Sequence, residues 1–139
     1  QLLGTEYDRK DIITRFINKD KHYDAFTKIS FIYPHAVASM KVGQGAKSEG
    51  EMIVSGTKGY IYVPAPWWKT DYFEVRYENQ QNNKRYFYQL DGEGLRYELL
   101  SFLKAIRTGK EFSYVANDIS KAVTATIADF YAHRDMTVI

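Results

Sequence analysis

Pro66-Trp67-Trp68-Lys69 is a stretch with side chains suited to holding a small molecule. An indole face packs against the C–H face of a sugar ring, and a Lys ammonium donates hydrogen bonds to hydroxyls. Pro64 and Pro66 punctuate the segment, so a rigid turn can hold a large ring at a sheet edge. Trp residues buried with their N–H groups bonded, and a solvated Lys, are the plainer alternatives.

Groups for covalent, acid–base or metal chemistry do not assemble. His22, His35 and His133 lie far apart in different elements, and none pairs at the spacing of a helical metal site. No Ser occupies a G-x-S-x-G nucleophile elbow. The carboxylates are many, but no pair sits in an apolar setting of the kind that raises a catalytic pKa. Gly43-Gln44-Gly45 and Gly50 have the wrong spacing for a dinucleotide fingerprint, and a strand follows them where a phosphate-binding helix would be needed. Gly56-Thr57-Lys58-Gly59 resembles a loop that clamps nucleic-acid backbone, but that loop joins two helices. Here it joins two strands, which makes it a hairpin turn. The chain alone therefore reads as a domain with no catalytic, cofactor or metal site.

The elements that position these residues fall into two regimes. Up to about Leu90 the pattern is that of short strands. Asp11 to Asn18 reads as one, and Thr27, Ile29, Phe31 and Tyr33 alternate with Phe26, Lys28, Ser30 and Ile32 in another. Tyr33-Pro34-His35 turns the chain into a strand over Ala36 to Val42. Glu51 to Ser55 pairs with Tyr60 to Val63, and Tyr72 to Glu78 with Arg85 to Leu90 across the turn Asn79 to Lys84, an antiparallel meander. From Asp91 onward the period is helical. Leu95, Leu99, Phe102, Leu103 and Ile106 share one face, with Asp91 and Glu93 at the start and Gly109 past the end. A second helix follows Asn117-Asp118, with Ile119, Ala122, Val123, Ile127, Phe130 and Tyr131 as its buried stripe and His133 and Arg134 in its last turn. Strands first and helices afterwards predict an α+β fold with helices on one face of the sheet.

Twelve Tyr residues in 139 are too many for core alone, since tyrosine joins an apolar ring to a polar tip. Tyr60 and Tyr62 share one side of their strand, and Tyr86, Tyr88 and Leu90 one side of another. Such a surface is expected to be a subunit or domain interface, with an ordinary amphipathic sheet as the alternative. The formal net charge of +2 is spread without a basic cluster, which argues against a nucleic-acid partner. No apolar run reaches membrane-spanning length, so no membrane partner is expected. The absence of Cys excludes disulfides and thiolate metal sites and agrees with a cytoplasmic location.

Three segments, in order, resemble the C-terminal domain of the Gfo/Idh/MocA oxidoreductases. They are the hairpin Ile53-Val54-Ser55-Gly56-Thr57-Lys58-Gly59, the loop Pro66-Trp67-Trp68 with the strand after it, and Gly92-Glu93-Gly94-Leu95-Arg96-Tyr97-Glu98 opening a helix. The dihydrodiol dehydrogenase-like branch is the most similar in these motifs. The resemblance implies a glyceraldehyde-3-phosphate dehydrogenase-like C-terminal domain, an open and mainly antiparallel sheet with helices packed on one face, filling residues 1–139 as a single domain. It also implies a parent enzyme with an N-terminal Rossmann domain, absent from this chain, that binds NAD or NADP. The family's catalytic Lys, and its Asp with a following His or Tyr, belong to that domain. Gln1-Leu2-Leu3-Gly4 resembles the segment that ends the helix of the second motif, so all catalytic residues are expected upstream of Gln1.

The reaction implied is hydride transfer between a nicotinamide and a sugar, polyol or diol, by a dehydrogenase acting on CH–OH or CH–CH groups. The 139 residues alone are expected to be inactive and to bind no cofactor. By the same resemblance Trp68 lines the substrate pocket, with Trp67 and Lys69 beside it as further candidate substrate contacts, and Tyr60, Tyr62, Tyr86 and Tyr88 face a partner in a homodimer or higher oligomer. The competing expectation is a free-standing carbohydrate- or protein-binding module that uses an aromatic sheet face.

Overall fold

The computed structural model describes residues 2–18, 23–92 and 94–139. Gln1, His22 and Glu93, which figure in the expectations above, lie outside them. The fold is α+β, with the order β1 (Arg9–Asn18), β2 (Tyr23–Tyr33), β3 (Ala36–Val42), β4 (Met52–Gly56), β5 (Gly59–Val63), β6 (Tyr72–Tyr77), β7 (Lys84–Phe87), α1 (Leu95–Thr108), α2 (Asn117–Tyr131) and β8 (Met136–Val138). The strands form two four-stranded sheets, ordered β3-β2-β1-β8 and β4-β5-β6-β7, where one sheet was expected. The chain divides into two compact units, Gln1–Ser48 with Tyr114–Ile139, and Glu49–Ser113.

In the first unit, β1, β2 and β3 form the expected antiparallel meander, and β8 adds a parallel strand beside β1 that the sequence pattern did not reveal. Alternation along β1 sends Lys10, Ile12 and Thr14 inward, where all three are buried, and Arg9, Ile13 and Arg15 outward. Ile12 is 1% exposed and forms the centre of this small core. Thr14 and Thr27 share a hydrogen bond of 2.8 Å across the β1–β2 ladder, and Thr27 donates on to Asp24 at 2.7 Å. Buried hydroxyls are thereby satisfied without an apolar partner.

Helix α2 seats Lys10 against Asp129 in an ion pair and brings Phe130 to 6.2 Å from Phe16. The residues it partly buries are Ile119, Ala122, Thr126, Asp129 and Phe130. The stripe expected from the sequence is corrected here, because Val123, Ile127 and Tyr131 are exposed. His133 and Arg134 lie beyond the last turn, not in it. His133 and Asp135 adopt left-handed backbone, which turns the chain within four residues from α2 into β8.

In the second unit the β4–β5 hairpin turns through Gly56-Thr57-Lys58-Gly59. A Cβ at Gly59 would lie 2.4 Å from the Arg76 carbonyl oxygen of β6, so only glycine lets the third strand approach. Asn79 caps a short turn at Gln80–Asn82 that returns the chain into β7. Helix α1 ends as the sequence predicts: Gly109 is left-handed and its N–H donates to the Ala105 carbonyl at 2.9 Å. No helix among the described residues is long and apolar enough to cross a membrane.

Candidate functional site

The Pro66–Thr70 loop leaves β5 and re-enters the sheet at β6. It is held by backbone bonds: Trp67 N–H donates to the Gly50 carbonyl and Lys69 N–H to the Pro66 carbonyl, both at 2.9 Å. These bonds fix the loop while leaving both indoles about half exposed. The Trp67 and Trp68 rings meet edge to face, 6.0 Å apart and at 89°. One ring can therefore stack on a flat ligand while the other presents its edge, and the two do not form a single plane.

The four Tyr residues expected at an interface do not share a surface. Strand register aligns Tyr60 with Arg76 and Tyr62 with Glu74, which places both tyrosines on the face that carries Tyr72, Glu74 and Arg76. Tyr86 pairs with Phe73 on the opposite face, beside Ile61 and Val75, and its ring stacks on Phe73 at 5.1 Å. Tyr88 follows the end of β7, with its N–H bonded to the Asp71 carbonyl at 2.7 Å.

The Tyr60 face holds a network that sequence reasoning missed. Glu74 accepts from Arg76 at 2.6 Å and from Arg85 at 2.9 and 2.5 Å. Arg76 lies over the Tyr62 ring at 4.3 Å, and Arg85 over Tyr72 at 4.8 Å. The hydrogen bonds from Arg76 and Arg85 hold the Glu74 carboxyl below its ordinary pKa, against the opposing effect of burial. The Tyr62 phenol is shifted upward, first by its hydrogen bond with Glu51, then by burial. Glu74 and Arg76 stand two residues apart among tyrosines on one strand, and that spacing was a legible signal for a shared face. The result is a rigid aromatic surface whose guanidinium groups already have a carboxylate partner.

The described histidines sit in different elements. His35 is exposed in the β2–β3 turn, and His133 stacks on Phe16 at 6.1 Å. Among the described residues no group of three or more His, Cys, Asp or Glu is placed to hold a metal ion. Among the described residues, the glycines ahead of α1 lack the setting of a dinucleotide phosphate cradle. The passage from β7 through Gly92 and Gly94 into α1 has a strand, glycines and a helix. However, Asp91 sits at the helix start paired with Arg96, and Glu98 lies in the first turn. Negative charge there repels a pyrophosphate.

No family model matches this chain, and no curated protein matches it by sequence. Solved structures do. One is an alanine mutant of KijD10, a 3-ketoreductase from Actinomadura kijaniata, in complex with TDP-benzene and NADP. It has a TM-score of 0.69 at 7% identity over 94% of this chain and 42% of its own. A protein described as an oxidoreductase from Erwinia carotovora atroseptica SCRI1043 has a TM-score of 0.59 at 17% identity, over 93% of this chain and 40% of its own. YvaA of Bacillus subtilis, also described as an oxidoreductase, has 0.59 at 12% identity, over 90% and 43%. This chain thus has the fold of a segment found in oxidoreductases, and it spans about two fifths of the length of those proteins.

Proposed function

We propose that the chain is the C-terminal, substrate-binding and oligomerisation domain of a Gfo/Idh/MocA-type, NAD(P)-dependent oxidoreductase acting on a sugar, polyol or diol in the cytoplasm. The observation that carries this reading is the shared fold with about two fifths of three oxidoreductase chains, one of them bound to NADP. The nicotinamide supplies hydride chemistry, and its binding belongs to a Rossmann domain beyond these residues. The substrate contacts proposed here are Trp68 first, then Trp67 and Lys69. An exposed indole on a loop tied to Gly50 through Trp67 can pack against the C–H face of a diol and exclude water beside it. Tyr60 and Tyr62 supply the subunit contact, and Tyr86 and Tyr88 contribute from outside that face.

In the full-length enzyme Trp68→Ala should lower kcat/KM by roughly one to two orders of magnitude, about 1.4–2.7 kcal/mol, with nicotinamide affinity hardly changed. Steady-state kinetics check this, and unchanged efficiency in a folded variant removes Trp68 from the pocket. Calorimetric titration of the 139-residue chain with NAD and NADP should show no binding, and micromolar affinity would contradict the assignment of the cofactor to another domain.

The half-exposed indoles favour a second reading, a carbohydrate-binding module. The perpendicular rings weigh against it, because a two-ring platform needs near-coplanar faces. Sugar binding by the chain alone, lost in both Trp67→Ala and Trp68→Ala, would favour the module.

A further inference from the structure

Helix α2 has two candidate sides for its sheet. At ~100° per residue, Ile119, Ala122, Thr126, Asp129 and Phe130 form one stripe, and Val123, Ile127 and Tyr131 form another roughly a quarter-turn away. Phe130 lies on the border between them. The second stripe is the more apolar, yet the first faces the sheet, and Val123, Ile127 and Tyr131 are each more than half exposed. Hydrophobic burial by itself favours a helix rolled the other way. The Phe16–Phe130 contact does not decide between the two, because a border residue serves either orientation.

What distinguishes the two orientations is charge. The Lys10 side chain is 2% exposed on the inner side of β1, between the helix and the strand ladder. Its ammonium bonds to Asp129, whose second oxygen is ion-paired with Arg134 at 3.2 Å. Rolling α2 by a quarter-turn carries Asp129 away and strands a buried ammonium among Ile12, Ile29 and Phe31. We propose that the Lys10–Asp129 pair is an orientation key: it selects which side of α2 meets the sheet, and so keeps the Val123–Ile127–Tyr131 ridge facing outward. A buried ion pair adds little net stability over an apolar pair of the same size, but it penalises the wrong arrangement heavily. Lys10 and Asp129 are positioning residues in this sense.

The chain contains no cysteine, so single introduced thiols report cleanly on exposure. In the 139-residue chain, thiol labelling of Val123→Cys should run about tenfold faster than that of Ala122→Cys, since one faces water and the other the sheet. Adding Lys10→Met should slow labelling at Val123→Cys and speed it at Ala122→Cys, so that the ratio falls to about one or inverts. The charge-swapped Lys10→Asp/Asp129→Lys background should restore the original ratio. An unchanged ratio in Lys10→Met overturns the proposal, because packing and the turn into β8 would then set the orientation. If Lys10→Met unfolds, both thiols label fast and the swapped pair decides. A restored ratio supports the key, and fast labelling at both sites overturns it.

Discussion

Helices α1 and α2 have similar amphipathic patterns and different fates. Helix α2 lies on its own sheet, tied by an ion pair and by ring contacts to β1. Helix α1 has the more regular apolar stripe, yet Leu95, Leu99, Phe102, Leu103 and Ile106 are all more than half exposed. Local ties include Tyr97 N–H to Gly94, the Tyr97 hydroxyl accepting from Asp91 N–H, Arg96 on Asp91, and Lys104 over Phe112. The contrast separates two properties that periodicity merges. A stripe of apolar residues shows that a helix has a side to cover, whereas a single well-placed polar contact determines what that side meets.

Substitutions can sharpen or break the contrast. The largest effect is expected for Ile12→Ala, which empties the centre of the first core and should cost about 2–4 kcal/mol in urea unfolding. Next, Tyr60→Lys places a cation beside Arg76 on the face proposed to meet a second subunit, and sedimentation velocity should show a shift toward monomer.

Acid should act on both units through their clamped carboxylates. Asp129 is held below its ordinary 3.8, chiefly by its bond to Lys10, and Glu74 below its ordinary 4.5 by two arginines. A depressed folded pKa contributes stability that is full above the ordinary value and is lost as pH falls through the folded one. The unfolding midpoint should therefore stay level from about pH 6 to about 4.5 and then decline, less steeply in Asp129→Asn. The smallest effect is expected for Leu103→Ala, within about 0.5 kcal/mol, because that side chain is already in water. A Leu103 effect as large as that of Ile12 would show that something covers α1 and would abolish the contrast.

Much of the fold was legible because alternation and helical period are local. The strand over Ala36–Val42, the hairpin around Gly56–Gly59, both helices and the Gly109 stop are where the pattern places them. The missing parts depend on distant pairings. Strand β8 is three residues long and becomes a strand only by lying beside Ile12 to Thr14. The turn at Asn79–Asn83 sets the β6–β7 register, and register puts Tyr86 on the face opposite Tyr60. No local pattern pairs Asp129 with Lys10, because the two lie 119 positions apart. The inward side of β1 is itself mixed, with Lys10 and Thr14 beside Ile12, so polarity along the strand does not single Lys10 out. At the candidate site, residue types pointed to the Trp loop. Its perpendicular rings and the Glu74 clamp became visible only in three dimensions.

Gly59 gives the hairpin motif a meaning apart from ligands or ancestry. The missing side chain is required by the main chain of another strand, since any Cβ would overlap the Arg76 carbonyl. The last glycine of Gly56-Thr57-Lys58-Gly59 thus acts as a spacer between strands, and the two-residue turn could be rebuilt with other residues while that spacer stays. A methyl group at this position would pry β6 from β5 near the end of their ladder and loosen Arg76, whose own carbonyl makes the contact that the glycine permits. Disturbing one hydrogen atom on the backbone would in this way reach the guanidinium stacked on Tyr62 without touching either side chain.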